Sequence, residues 1–261
     1  MKYSNDRVYR DLTYYQYVFN HPNDIPFWIN ITRRLSAKNI LEIGVGDGRI
    51  AFPLIENGFF VTGIDISEKM LAAAESHRRN MKTTVRDRLE LINANMTNFK
   101  ISKKFDLVII TSLTFQHLLT IDDQLSCLRM IKEHLCNEGF LIIDVFNPNF
   151  TILSDAMSKY PKLVRYLYTF GNEKEIIRDD ASSFESCTQN MEVQSTVEYY
   201  TAGHLVDKEF VINIGHIFFP REMELLLRLE KFALIEKFGD HDFSNFESFS
   251  PRQIVIAKCK A

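Results

Sequence analysis

The stretch whose reading decides the fold is Ile40-Leu41-Glu42-Ile43-Gly44-Val45-Gly46-Asp47-Gly48-Arg49. A short apolar run, Asn39 to Ile43, ends in three glycines at alternate positions. A helical pattern follows from Arg49 to Glu56 and stops at Asn57-Gly58. Glycines between a strand and a helix let the backbone turn sharply and let a ligand approach it closely. The helix N-terminus beyond them favours negative charge.

Working outward, Phe59 to Ile64 reads as a second strand that ends at Asp65, 21 residues after Gly44. An acidic residue there can accept both hydroxyls of a ribose. Ser67 caps a predicted helix from Glu68 to about His77, with Met70, Leu71 and Ala74 on one face. Further strands are expected at Leu89 to Asn93, Phe105 to Ile110 and Phe140 to Phe146. A helix is expected from Asp122 to Leu135, ended by Asn137-Glu138-Gly139. Strands alternating with helices imply a mainly parallel sheet covered on both faces, an α/β fold.

After Asn147-Pro148 the pattern changes. Glu175 to Arg178, Met191 to Tyr200 and Glu209 to Phe219 read as strands of an antiparallel sheet. Gly203 supplies a turn and Gly215 a bulge. Arg221 to Phe232 reads as a helix, and Leu234 to Phe238 and Gln253 to Lys258 as closing strands. The expected organisation is an N-terminal helical segment (1–35), a core in two pieces (36–149 and 220–261) and a β-rich insertion (150–219), all in one domain.

A dinucleotide site wants G-x-G-x-x-G. Here the third glycine comes one position early, and Glu42 stands two residues before the first. The combination E-x-G-x-G-x-G resembles the first motif of class I S-adenosylmethionine (SAM)-dependent methyltransferases. The likeness covers most of residues 35–146 and looks like the small-molecule branch, with its sugar-amine and glycine N-methyltransferases. It implies a Rossmann-like sheet of seven strands. It also implies that Gly44, Gly46 and Gly48 pass under the methionine part of the cofactor. By the same resemblance Glu42 orients that loop, Asp65 takes the ribose hydroxyls, and Ile66 and Met70 flank the adenine. Asn95-Met96 stands where the family usually has Asp-Met, and the Asn95 amide oxygen can accept from the adenine amino group. The segment Thr111-Ser112-Leu113 to Leu118 corresponds to the one that closes over the cofactor and faces the acceptor.

Methyl transfer from a sulfonium is an in-line displacement, so the protein mainly positions the acceptor, an N or O nucleophile, and excludes water. Where the acceptor must lose a proton, His117 is the candidate base. Tyr200, His216 and Phe218 on or beside the insertion are candidates for the acceptor pocket. So is Tyr14, among the N-terminal tyrosines that resemble the family's lid. His241 lies in a polar turn and reads as solvated. Asp144 alone does not make a magnesium site. Two other functions compete: a nicotinamide-dependent oxidoreductase and a non-catalytic SAM-binding regulator.

Composition narrows the partners. The 261 residues carry 31 Lys+Arg against 34 Asp+Glu, so no broad basic field serves nucleic acid or an anionic membrane. The position after the fourth strand reads Thr111-Ser112-Leu113-Thr114, not the signature of DNA-base methyltransferases. No apolar run is long enough to span a bilayer, and no secretory h-region is present. The four cysteines, Cys127, Cys136, Cys187 and Cys259, lack metal-ligand spacing and read as free thiols of a cytoplasmic protein without a bound metal. There are 21 Phe and 10 Tyr but one Trp, with much of the excess after residue 140, which suggests an apolar acceptor pocket walled by the insertion. The expected partner is a small-molecule acceptor, with S-adenosylhomocysteine as the second product. A homodimer is compatible with the sequence.

Overall fold

The computed structural model describes residues 22–170 and 173–259. Its elements are α1 (Ile25–Arg34), β1 (Asn39–Ile43), α2 (Ala51–Glu56), β2 (Phe60–Asp65), α3 (Glu68–Arg79), α4 (Thr83–Arg86), β3 (Leu89–Asn93), β4 (Phe105–Ile110), α5 (Ile121–His134) and β5 (Leu135–Phe146). Then come α6 (Phe150–Ala156), β6 (Leu163–Phe170), β7 (Lys174–Glu185), β8 (Asn190–Thr201), β9 (His204–His216), α7 (Pro220–Leu229), β10 (Phe232–Phe238) and β11 (Arg252–Cys259). The described residues divide into two compact units. One runs to Asn147 and resumes at Phe218; the other is Pro148–Ile217.

The first unit holds a seven-stranded sheet ordered β10-β11-β5-β4-β1-β2-β3, parallel except for β11, which pairs antiparallel with β5 and β10. The strand alternation shows why both faces need cover. Ile40, Leu107 and Ile109 pack under Phe27, Trp28 and Ile31 of α1, with Leu54 and Ile55 of α2. Leu41, Ile43, Val108 and Ile110 point the other way, into Leu128 and Ile131 of α5 and Met223, Leu226 and Leu227 of α7. Helix starts are set by local caps: Ser67 Oγ accepts from the Met70 amide, and Thr120 Oγ1 from the Asp123 amide.

The second unit is a four-stranded antiparallel sheet, β6-β7-β8-β9. Its core is small: Ile176, Val197 and Val211, flanked by Tyr168, Phe170 and Tyr199. Asn149 caps α6 by accepting from the Thr151 and Ile152 amides.

Several expectations are corrected. The helix read from Arg49 begins at Ala51, because residues 44–50 stay in the glycine turn. The Asn137-Glu138-Gly139 stop lies inside β5, whose edge leaves room for a register irregularity against β4 between Phe105 and Leu107. Strand β6 and helix α6 carry no pattern that periodicity detects, since β6 buries neither face. The β8–β9 bulge falls at Tyr199/Tyr200, not at Gly215, which stays in register with Met191. Gly203 does make the turn, at φ 77° beside Ala202 at φ 52°. The inserted residues Pro148–Ile217 form a compact unit around a small core of their own.

Candidate active site

The strand order reverses between β1 and β4, so the loops leaving their carboxyl ends part there and open a crevice. The glycine turn fills its floor. Gly44, Gly46 and Gly48 all sit at positive φ, at 74°, 57° and 90°. A Cβ on Gly44 would lie 2.4 Å from Thr114 Cγ2, so only glycine lets the turn pass the segment after β4. The Gly44 and Val45 amides donate to the Ile64 carbonyl, at 2.8 and 3.0 Å, which ties the turn to the end of β2.

Asp65 completes that tie. Its Oδ2 accepts from the Gly46 amide at 2.9 Å and its Oδ1 from the Ser67 amide at 2.8 Å. Burial pushes the carboxyl up from its ordinary range, and these backbone hydrogen bonds pull against that. Each oxygen keeps acceptor capacity for a ribose hydroxyl. Ile66 beside it is exposed, whereas Met70 is buried in α3. Asn95 Oδ1 already accepts from the Thr97 amide and hydroxyl, both at 2.9 Å, so its oxygen closes a turn. Met96 packs against the core.

Glu42 ends β1 with a fully enclosed carboxyl, 1% exposed. Thr111 Oγ1 donates to its Oε1 at 3.4 Å, and Oε2 has no hydrogen-bond partner among the described residues. Desolvation pushes this group up to about 8, opposed by the nearby Arg49 charge. Arg49 itself is clasped elsewhere. Its guanidinium donates to Asp24 Oδ1 at 2.5 Å and Oδ2 at 2.8 Å, and to Ser112 Oγ at 2.8 Å. Desolvation would raise Asp24, but the Arg49 hydrogen bonds and charge outweigh it and hold the carboxyl below its ordinary value. Trp28 Nε1 donates to the same carboxylate. Ser112 and Leu113 both adopt left-handed backbone, at φ 52° and 66°, directly after β4. That pair of outliers beside a clasped arginine fits a ligand-facing segment.

A second polar cluster sits at the end of β5. Asp144 is fully buried and accepts from Arg252 Nη1 at 2.8 and 2.9 Å; His241 Nε2 lies 3.3 Å from it. The His241 ring packs on Phe27 and Trp28. His241 is thus not a solvated turn residue; Asp144 and the two rings draw it inward. The pairing of Asp24 with Arg49, and of Asp144 with Arg252 and His241, escaped the sequence reading. The cues were present, an acid just ahead of Ile25-Pro26 and an arginine closing the glycine motif, but their pairing is a long-range fact.

His117 ends the 3-10 turn Thr114–His117, half-buried. Phe218 is fully buried in the core against Phe115, with ring centroids 5.0 Å apart. In the inserted unit, Tyr200 donates its hydroxyl to Glu198 at 3.0 Å, and His216 Nδ1 lies 3.1 Å from Asn190 Oδ1. Tyr14 lies outside the described residues. Among the described residues no group of three His, Cys, Asp or Glu side chains is placed to hold a metal, and no helix is long and apolar enough to cross a membrane.

The switch point, the glycine turn tied to a strand-end carboxylate and the buried glutamate near the end of β1 make this edge of the Rossmann-like sheet the candidate cofactor site. The profile of the family described as "Methyltransferase domain" matches residues 40–139, the stretch that holds the glycine turn, Asp65 and the segment after β4. A protein of Geobacillus sp. (strain WCH70) named as a methyltransferase is 36% identical over 112 residues, 43% of this chain and 44% of that one. The matched stretch therefore spans less than half of that relative. The fold is shared with the CcbJ methyltransferase of Streptomyces caelestis (TM-score 0.81, 20% identity, 99% of this chain and 100% of that one). It is shared too with SAM-bound CalS10, an amino pentose methyltransferase of Micromonospora echinaspora (TM-score 0.72, 15% identity, 100% and 98%). The family profile and the Geobacillus relative favour the methyltransferase reading over the nicotinamide one.

Proposed function

We propose that the protein transfers a methyl group from S-adenosylmethionine to a nitrogen or oxygen nucleophile of a small organic acceptor. One observation carries the reading: the glycine turn is bound to Asp65 above a buried Glu42 whose Oε2 is left unpartnered. A site built for a neutral or purely anionic ligand has no use for a sequestered acid below its glycine turn. A cofactor with a sugar diol and a cationic end gives both carboxyl groups a task.

In this reading Asp65 takes the ribose hydroxyls, and Gly44, Gly46 and Gly48 let the cofactor lie against the main chain. Ile66 offers an apolar surface beside the adenine. Thr111 and Leu113 bound the site after β4. The cofactor supplies the activated methyl group. The chain aligns the acceptor behind it and keeps water out. A protonated acceptor gives its proton to His117, which stands on the same carboxyl edge. The named activity of CalS10, on an amino pentose, supports an amine on a sugar-like body as the first acceptor class to try. Four free thiols fit a reducing cytoplasm.

The test is S-adenosylhomocysteine formation with a panel of amino sugars, amino acids and phenols. Turnover with at least one acceptor, lost in Asp65→Ala, supports the proposal. Tight SAM binding with no turnover across the panel favours a SAM-binding regulator instead.

A further inference from the structure

Glu42 presents a problem that its own surroundings do not solve. Its carboxyl is enclosed at the end of β1, with one weak hydrogen bond at Oε1 and an unpartnered Oε2. An ionised carboxylate there has lost its water and gained little. The cation beside it is committed: Arg49 makes two hydrogen bonds to Asp24 and one to Ser112. The other charged groups that reach Glu42 are Asp24, ahead of α1, and Asp47, in the glycine turn, and both disfavour its ionisation. Thr111, after β4, is the remaining polar neighbour. These surroundings favour the neutral acid over the carboxylate. A ligand bearing fixed positive charge at this edge would reverse the balance, because charges act strongly in a water-poor interior.

We propose that Glu42 is protonated in the free protein and ionises, releasing its proton to solvent, when S-adenosylmethionine binds. The inference rests on the cofactor reading above. The step is a simple dissociation: the O–H bond breaks, the electron pair stays on the carboxylate, and the proton passes to buffer. The gain is selectivity by charge. A neutral Glu42 costs the free protein less than an ionised one would, and an ionised one attracts a cationic cofactor but not a neutral nucleoside. Binding then strengthens with rising pH until Glu42 is ionised without help.

Calorimetric titration of the protein with SAM at pH 7, in phosphate, HEPES and Tris, counts protons from the dependence of heat on buffer ionisation enthalpy. With the free carboxyl near 8, wild type releases about 0.9 proton per SAM more than Glu42→Gln does. The variant subtracts any change at the cofactor's own amino group. Between pH 6 and 7 the wild-type affinity rises about ninefold relative to the variant. Infrared difference spectra on wild type alone give an independent reading: the carbonyl band of a buried carboxylic acid disappears as SAM is added. Saturable heat with the same proton count in both proteins, or with the acid band unchanged, overturns the coupling and leaves the cofactor reading intact. A folded wild type that gives no heat with millimolar SAM overturns both.

Discussion

In β4, Leu107, Val108, Ile109 and Ile110 are all buried, because helices cover both faces of the parallel sheet. In β6 no residue is buried, and β8 buries only Ser195 and Val197. The parallel sheet thus draws its stability from two apolar layers and can enclose ionisable groups at its carboxyl edge: Glu42, the Asp24–Arg49 pair and Asp144 with Arg252. The antiparallel sheet encloses one ion pair, Asp180 with Arg178, where Ser195 Oγ also donates to Asp180; it pairs other charges at its surface, as in Arg165–Asp179, and rests on three aliphatic side chains. Burying ionisable groups calls for partners held in place around them, and more of these groups are enclosed in the unit with two apolar layers, where the proposed cofactor site lies.

This contrast can be broken from its strong side first. Trp28→Ala removes a fully buried ring and its hydrogen bond to Asp24, and should cost roughly 3–5 kcal/mol, read by denaturant unfolding. Arg49→Met strands the Asp24 carboxylate, with both partners 11% exposed in their side chains, and should cost about 3 kcal/mol. Thermal melts at several pH values sharpen the same point. The Glu42 carboxyl sits higher in the folded chain, about 8, than its ordinary 4.5. Its contribution is therefore complete below about pH 4.5 and is lost as pH rises through 8. Wild type should lose Tm across that window relative to Glu42→Gln, with no further change above it. A smaller effect, about 2 kcal/mol, is expected for Val197→Ala in the inserted sheet. Arg165→Ala, at an exposed pair, should leave the melting curve unchanged. A larger loss from Val197→Ala than from Trp28→Ala would invert the comparison.

The same contrast explains what was legible in the amino-acid order. The runs Asn39–Ile43 and Phe105–Ile110 and the glycine turn announce themselves, because continuous burial leaves continuous apolar runs and positive φ calls for glycine. Asp65 was legible from its spacing. Strand β6 was not, since its exposed faces impose no alternation on Leu163–Phe170. The Asp24–Arg49–Ser112 clasp was not legible either: its members lie 25 and 63 residues apart and meet only once the sheet is ordered. The polar turn around His241 reads as solvated, but its ring packs on Phe27 and Trp28 with Nε2 3.3 Å from Asp144, contacts that only the folded chain makes.

The most direct test of the central claim, that the carboxyl edge of β1 and β2 binds SAM, is a calorimetric titration of wild type and Asp65→Ala. Wild type should give saturable binding at one site, and the variant, still folded, should bind about a hundredfold more weakly through the loss of two charge-assisted hydrogen bonds to the ribose. Equal affinity in the two proteins, or no binding by folded wild type at millimolar SAM, would contradict the account.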